Sequence, residues 1–218
     1  GVAHQIRNPL SGLNIYISLL RTKLQEANVD DELIRLTDKI NSAGEKIEAI
    51  VEKVMQFARS GRVKAAPVDL NEAVKESVEL IQAPLKKSGI NVLINLDENI
   101  RPIMGDINLI EQALINIIIN AKEALETTEG ERVIDIKTMR RDNSIVITVS
   151  DSGPGIPPDI REEIFEPFYS TKKGGTGLGL ALNQKMITSY GGEMHIGESY
   201  LGGAEFVIEL PMKKRNGL

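Results

Sequence analysis

The sequence predicts an α+β chain in two parts: an N-terminal antiparallel helical hairpin that pairs with a copy of itself into a four-helix bundle, then a layer of helices on a mixed sheet. Three observations predict it. Up to Phe57 the apolar positions recur at alternating spacings of three and four. From Val68 onward, short stretches that alternate like strands are interleaved with helical periods. Two glycine groups, Gly153 with Gly155 and Gly174, Gly175, Gly177 with Gly179, bracket a segment of about 20 residues, a length that in compact domains is usually functional or disordered.

In the first part, Ala3, Ile6, Leu10, Leu13, Ile17, Leu20 and Leu24 form one seam. After a polar break from Glu26 to Asp31, a second seam runs through Leu33, Leu36, Ile40, Ala43, Ile47, Ile50, Val54 and Phe57. Two such heptad seams predict two helices, and a lone hairpin cannot close a core around both. A homodimer through the hairpin is therefore expected. His4 sits beside the seam with Asn8 and Ser11 further along the same face, and Pro9 removes one backbone hydrogen bond just after it. The segment from Ala58 to Pro67 loses the seam and carries Gly61 and Pro67, which reads as a hinge. The expected domains are thus 1–60, a linker at 61–67, and 68–218.

In the second part, Leu70 to Leu85 has helical spacing with Asp69 or Asn71 as cap, and Ile90 to Leu96 alternates like a strand. Asp106 to Leu125 is a strongly apolar helix. Strands are expected at Val133 to Arg140, Ser144 to Ser150, Glu193 to Glu198 and Glu205 to Leu210, and a further helix follows the second glycine group in LGLALNQKMITSY. Met186, Met194 and His195 read as structural residues.

Composition excludes several classes of function. The net charge of -5, with 26 Lys+Arg against 31 Asp+Glu, argues against a nucleic-acid partner. The absence of cysteine removes disulfides, thiol catalysis and thiolate metal sites. No apolar run reaches bilayer-spanning length. The chain opens three residues before a motif without a helix start signal, so it reads as a cytoplasmic piece of a longer protein, tied to a membrane only through upstream segments.

The glycine groups carry the chemistry. Glycine lets backbone N–H groups approach a phosphate or a base, and a helix starting at the second group aims its N-terminal amides at anionic oxygens. Asn116 and Asn120 share one face of an otherwise Ile-rich helix. A carboxamide oxygen there suits Mg²⁺, a hard cation that shares its ligands with nucleotide phosphates.

Taken together, HQIRNPL at 4–10, NIIINA at 116–121, DSGPGI at 151–156, FEPFYSTK at 165–172 and GTGLGL at 175–180 resemble the H, N, G1, F and G2 boxes of two-component sensor histidine kinases. The resemblance covers nearly the whole chain. It implies a dimerisation and histidine-phosphotransfer hairpin followed by a two-layer α/β sandwich that binds ATP with Mg²⁺. Matched residue by residue, it implies His4 as phosphoacceptor and Asn8 as the residue that positions a water for dephosphorylating the partner. It implies Asn120 as the Mg²⁺ ligand, with Asn116 beside it on the nucleotide, and Asp151 as acceptor for the adenine amino group. Gly153, Gly155, Gly175, Gly177 and Gly179 would let backbone approach the nucleotide, with Thr176 and Leu178 in the phosphate turn and Lys172 reaching the γ-phosphate. Residues 157–174 would form a lid, whose Phe165 and Phe168 dock against the hairpin.

The activity so implied is that of a protein histidine kinase, which phosphorylates its own histidine and passes the phosphoryl group to an aspartate of a response-regulator receiver domain. The receiver would dock near His4, on exposed positions such as Asn14 and Ser18. Related ATPases carry a water-activating glutamate where this chain has Asn116, which cannot act as a base. Gln5 stands where many family members carry an acidic residue, and its amide cannot take the ring proton at neutral pH. Ala204 stands where the family often has a threonine that assists adenine binding. Two alternatives remain open on the sequence alone: a chain that acts mainly as a response-regulator phosphatase, and a non-catalytic ATP-binding dimeric scaffold.

Overall fold

The structure, a computed structural model, describes residues 12, 15–24, 26, 31–58, 66–172 and 175–212. His4, Gln5 and Asn8, the first half of the N-terminal seam, Asn14 and Gly174 lie outside the described residues. The chain divides into two units, Gly1–Ser60 and Gly61–Leu218.

In the first unit, helix α1 covers residues 15–24 and helix α2 runs from Asp31–Ala58. Arg21 Nε and Asp38 Oδ1 join the two helices at 3.1 Å. Ile17, Thr37 and Gly44 are buried, and the Thr37 hydroxyl is turned back onto the Ile34 carbonyl at 2.7 Å. Of the seam positions whose burial is described, most are not covered: Leu20, Leu33, Leu36, Ile40 and Ile47 are each between 43% and 50% exposed. The described part of the apolar seam is therefore left largely open within a single chain.

The second unit is built on a five-stranded sheet with the order β2-β4-β5-β7-β6. Its elements are β1 (Ala66–Val68), α3 (Leu70–Lys87), β2 (Asn91–Leu96), β3 (Ile103–Gly105), α4 (Ile107–Leu125), β4 (Val133–Arg141), β5 (Ser144–Asp151), α5 (Gly179–Ser189), β6 (Glu193–Glu198) and β7 (Ala204–Pro211). β2 and β4 pair in parallel and every other neighbour is antiparallel, so the sheet is mixed. The parallel pair needs a long crossover, and α4 lies within it.

The helices form the second layer. Ile110, Leu114, Ile117 and Ile118 of α4 join Ala73 and Val74 of α3 and Ile187 of α5 in one core with Ile134, Ile136, Ile147, Val149, Phe206 and Ile208 of the sheet. Met186 and Met194 are in that core, as expected, while His195 is exposed on β6. Asp69 is the cap of α3, accepting from the Asn71 and Glu72 amides at 2.9 and 3.3 Å. Asn71 is thereby released to tie the helix to the sheet, donating to the Asp97 carbonyl and accepting from the Thr138 hydroxyl at 2.7 Å. Asp106 caps α4 through the Asn108 amide.

One expectation is corrected. The segment assigned to the linker as far as Pro67 already includes strand: Ala66 and Pro67 pair with Gly105 and Met104 in the small β1-β3 sheet. Three residues per strand are too few to show alternation, and partners 35 or more positions apart leave no local signal.

Alternation along β4 puts Ile134 and Ile136 under the helices and Asp135 and Lys137 on the opposite face. Asp135 is only 1% exposed there. It accepts from Asn95 Nδ2 at 3.0 Å, Tyr200 Oη at 2.5 Å and Lys137 Nζ at 2.7 Å, and the ammonium lies 4.4 Å from the Tyr200 ring centroid. Burial pushes this carboxyl up, but the hydrogen bonds from Lys137, Tyr200 and Asn95 outweigh it and hold Asp135 below its ordinary value. The network thus stabilises the fold above the ordinary carboxylate range and is lost as pH falls through and below it. Asp135→Ala is expected to cost about 2 kcal/mol in chemical denaturation at neutral pH, a loss that shrinks in acid, since it removes the acceptor shared by three donors. Nucleotide titrations of the same variant are expected to match the parent.

Candidate functional site

Asp151 is the last residue of β5, at the middle of the sheet, and is 2% exposed. Its Oδ1 accepts from the Gly153 amide at 2.8 Å and the Ala204 amide at 3.2 Å, while its carbonyl accepts from the Gly203 amide at 3.1 Å. Among the described residues, Oδ2 has no protein partner. Burial pushes the Asp151 carboxyl up from its ordinary value, and the two amides on Oδ1 work against that without cancelling it. A Cβ at Gly203 would run into Asp151 itself, and one at Gly153 would lie 2.9 Å from Oδ1, so this close approach requires glycine at both positions.

Asn116 and Asn120 lie four residues apart on α4 and are half-buried. Among the described residues neither carboxamide has a hydrogen-bond partner. A Cβ on Gly179, the first residue of α5, would sit 2.7 to 2.9 Å from the Asn116 carboxamide; glycine there lets the helix start against α4. Asn183 fastens the same two helices from the buried side, donating to the Ala113 carbonyl at 3.1 Å.

The start of α5 carries no side-chain cap: Leu178 occupies the cap position and is buried. The first amides of the helix are therefore left for another acceptor, with the positive end of the helix dipole behind them. Thr176, Gly177 and Leu178 form the turn into it, and Gly177 takes φ +62. Gly155 likewise takes φ +75 beside the Gly203 carbonyl.

The lid begins with two 3-10 turns, Pro158–Ile160 and Glu163–Phe165, the second packing against α5. Phe165 is partly buried against the core of its own domain. Phe168 is 71% exposed and has φ +71, a conformation held by its amide donating to the Gly177 carbonyl at 3.0 Å. The lid is thus stitched to the second glycine turn, and a Cβ at Gly177 would collide with the Phe168 and Tyr169 backbone. Lys172, expected on the phosphate, forms an ion pair with Glu123 on α4.

The structure therefore brings Asn116 and Gly179 into contact, and links Asp151 with Gly153 and, through Gly203, with Gly155. It adds Gly203, the Ala204 amide and Glu123, none of which the sequence reading singled out for these contacts. The Gly202-Gly203 pair was the available signal for the first; nothing local pointed to Glu123. Because Ala204 contributes through its backbone, its side chain is not what holds Asp151.

A carboxyl raised by burial has a definite pH signature. Between the ordinary carboxylate range and Asp151's own raised pKa the folded state binds a proton more readily than the unfolded chain, so acidification through this window favours the fold at this residue. Asp151→Asn keeps an acceptor for both amides and is expected to remove this pH trend. Thermal melts across pH check this.

Comparisons with known proteins give the family of the two parts of the chain. Residues 1–62 match the His Kinase A (phospho-acceptor) domain, and residues 105–214 match the histidine kinase-, DNA gyrase B-, and HSP90-like ATPase. Over 97% of its length the chain is 33% identical to the signal transduction histidine-protein kinase AtoS of Escherichia coli (strain K12), of which it covers 34%. It is 31% identical to the sensory histidine kinase/phosphatase NtrB of Vibrio alginolyticus, covering 97% of this chain and 61% of that one. Of the first curated relatives, the chain spans between a third and just under half. Among solved structures, full-length ShkA in complex with AMPPNP matches with a TM-score of 0.81 and 26% identity, over 99% of this chain and 46% of that one. Histidine kinase ThkA in complex with the response regulator protein TrrA matches with a TM-score of 0.72 and 27% identity, over 99% and 61%. With a phospho-acceptor domain followed by an ATPase domain of this kind, the chain belongs to the sensor histidine kinases.

Proposed function

We propose that this chain is a catalytic core that moves the terminal phosphoryl group of ATP to His4, and from there to an aspartate of a response-regulator receiver domain. The observation that carries the reading is the pair of unpartnered carboxamides, Asn116 and Asn120, beside the uncapped start of α5. Half-buried and without protein partners among the described residues, these carboxamides are open to a ligand. Their chemistry fits a nucleotide and its metal: the amide oxygen of Asn120 would hold Mg²⁺, Asn116 would lie on the nucleotide, and the amides of the Gly175 to Gly179 turn would take phosphate oxygens. When bound, the metal neutralises charge on the phosphates.

The chain's own residues do the rest. Asp151 offers its free Oδ2 to the adenine amino group, with Gly153 and Gly155 making room for the base. His4 in its unprotonated form attacks the γ-phosphorus through a ring nitrogen. A nitrogen–phosphorus bond forms, the bond to the bridging oxygen breaks, and ADP leaves with that oxygen while the other ring nitrogen gives up its proton to solvent water. Gln5 orients the ring without taking this proton. No carboxylate stands at position 116 to activate water, which favours transfer to a side chain over hydrolysis. The phospho-acceptor match over residues 1–62 supports the role of His4.

In this reading the hairpin, residues 1–60, is the dimerisation surface, because its seam is left exposed in a single chain. The ATP-binding domain occupies 66–218, with the linker shortened by the two residues in β1. Phe168, the outward-facing aromatic of the lid, is the one free to meet the hairpin; Phe165 is taken up by its own core. A shallow groove lined by Ile15, Ser18, Leu19 and Thr22 on α1 is where a receiver would dock. Among the described residues no helix is long and apolar enough to cross a membrane, and the core is read as acting in the cytoplasm. The kinase/phosphatase named among the relatives supports a second activity, removal of the receiver's phosphoryl group by water held at Asn8.

The decisive experiment is incubation with γ-labelled ATP and Mg²⁺. An acid-labile label is expected that disappears in His4→Ala and falls about a hundredfold in rate in Asn120→Ala. Label surviving in His4→Ala would overturn the reading. A protein that takes no label yet strips a phosphorylated regulator would make the chain a dedicated phosphatase.

A further inference from the structure

An ion pair anchors the lid at each end. At the start, Arg161 donates to the Ile156 carbonyl at 3.0 Å and pairs with Glu198 at 3.2 Å, away from the candidate phosphate site. At the end, the Lys172 ammonium meets the Glu123 carboxylate. Glu123 lies three residues beyond Asn120, so its side chain leaves α4 on the side that carries the unpartnered carboxamides. Its neighbour Lys122 is engaged elsewhere, with Glu126 at 2.5 Å. An anion of the protein thus already holds the cation that the proposed reaction would bring to the terminal phosphate.

We propose that Glu123 is a specificity-determining residue of the nucleotide site, one that competes with the terminal phosphate of a triphosphate for Lys172 and so tempers the preference for triphosphate over diphosphate. The inference rests on the nucleotide reading above. In the free protein Glu123 occupies the ammonium. A nucleoside triphosphate gains Lys172 only by displacing Glu123, because phosphate and carboxylate compete for one point charge. A diphosphate has no third phosphoryl group to offer, so the pair stays closed. Glu123 therefore weakens ATP binding selectively and narrows the gap between ATP and ADP. Both partners are 45% exposed, which keeps the exchange small and reversible.

The test is calorimetric titration of the whole chain with Mg²⁺-saturated ADP and with the non-hydrolysable β,γ-imido analogue of ATP. In Glu123→Gln the analogue is expected to bind about two- to fivefold more tightly while ADP is unchanged, as suits an exposed pair. In Lys172→Met that gain is expected to vanish when Glu123→Gln is added. Glu198→Gln, which opens only the other anchor, is expected to leave the ratio of the two affinities as it was. Equal changes for both nucleotides, a gain that persists without Lys172, or weaker binding of the analogue would each overturn the inference. A parent protein that binds neither nucleotide would sink the nucleotide reading itself; one that binds both, with a ratio unmoved by Glu123→Gln, would sink this inference alone.

Discussion

The second domain is arranged around a carboxylate placed where a charge is unfavourable. Asp151 closes the central strand β5 at the floor of the candidate site, and its burial is offset by two backbone amides that converge on one oxygen. Those amides come from opposite sides, one from the turn after β5 and one from the first residue of β7. Holding both against a single oxygen leaves no space for a side chain at Gly153 or Gly203. The glycines of this region thus follow from packing around an acid as much as from any need for flexibility. Among the described residues the second oxygen of the same acid is left without a partner.

A second constraint sets the opposite wall. α4 and α5 approach closely enough that the first residue of α5 must be glycine, and the price of the approach is a helix start with no side-chain cap. Missing caps normally cost stability. Here the uncapped amides stand beside Asn116 and Asn120, whose carboxamides also have no partner among the described residues, so both local deficits fall where α5 starts against α4. The lid is held to this wall by backbone, through Phe168 and Gly177, both at positive φ.

Much of this was legible in the sequence. Strands β4 to β7 and helices α3 and α4 fall within a residue or two of their expected limits, because each is long enough to show its period and is bounded by turn residues. β1 and β3 were invisible, since three residues carry no period. The choice between Asp69 and Asn71 as cap is settled by a contact from Asn71 to Thr138 on β4, 67 positions away, which no local pattern contains. The same limit applies at the site: glycines, asparagines and Asp151 announce themselves by type and spacing, whereas Gly203 and Glu123 matter only through partners distant in the chain. In the hairpin the heptad spacing correctly marked two helices, yet of the described seam residues Ile17 is buried while Leu20, Leu33, Leu36, Ile40 and Ile47 are not.

The bond from the Ala204 amide to Asp151 spans 53 positions and belongs to the last described strand in the chain. A ribosome releases all five motifs before it releases that strand. A nascent or C-terminally truncated chain can therefore display every recognisable box while Asp151 still lacks one of its two amide donors. That carboxylate is fully held only once β7 lies between β5 and β6, so its placement depends on the finished sheet and not on the inventory of motifs.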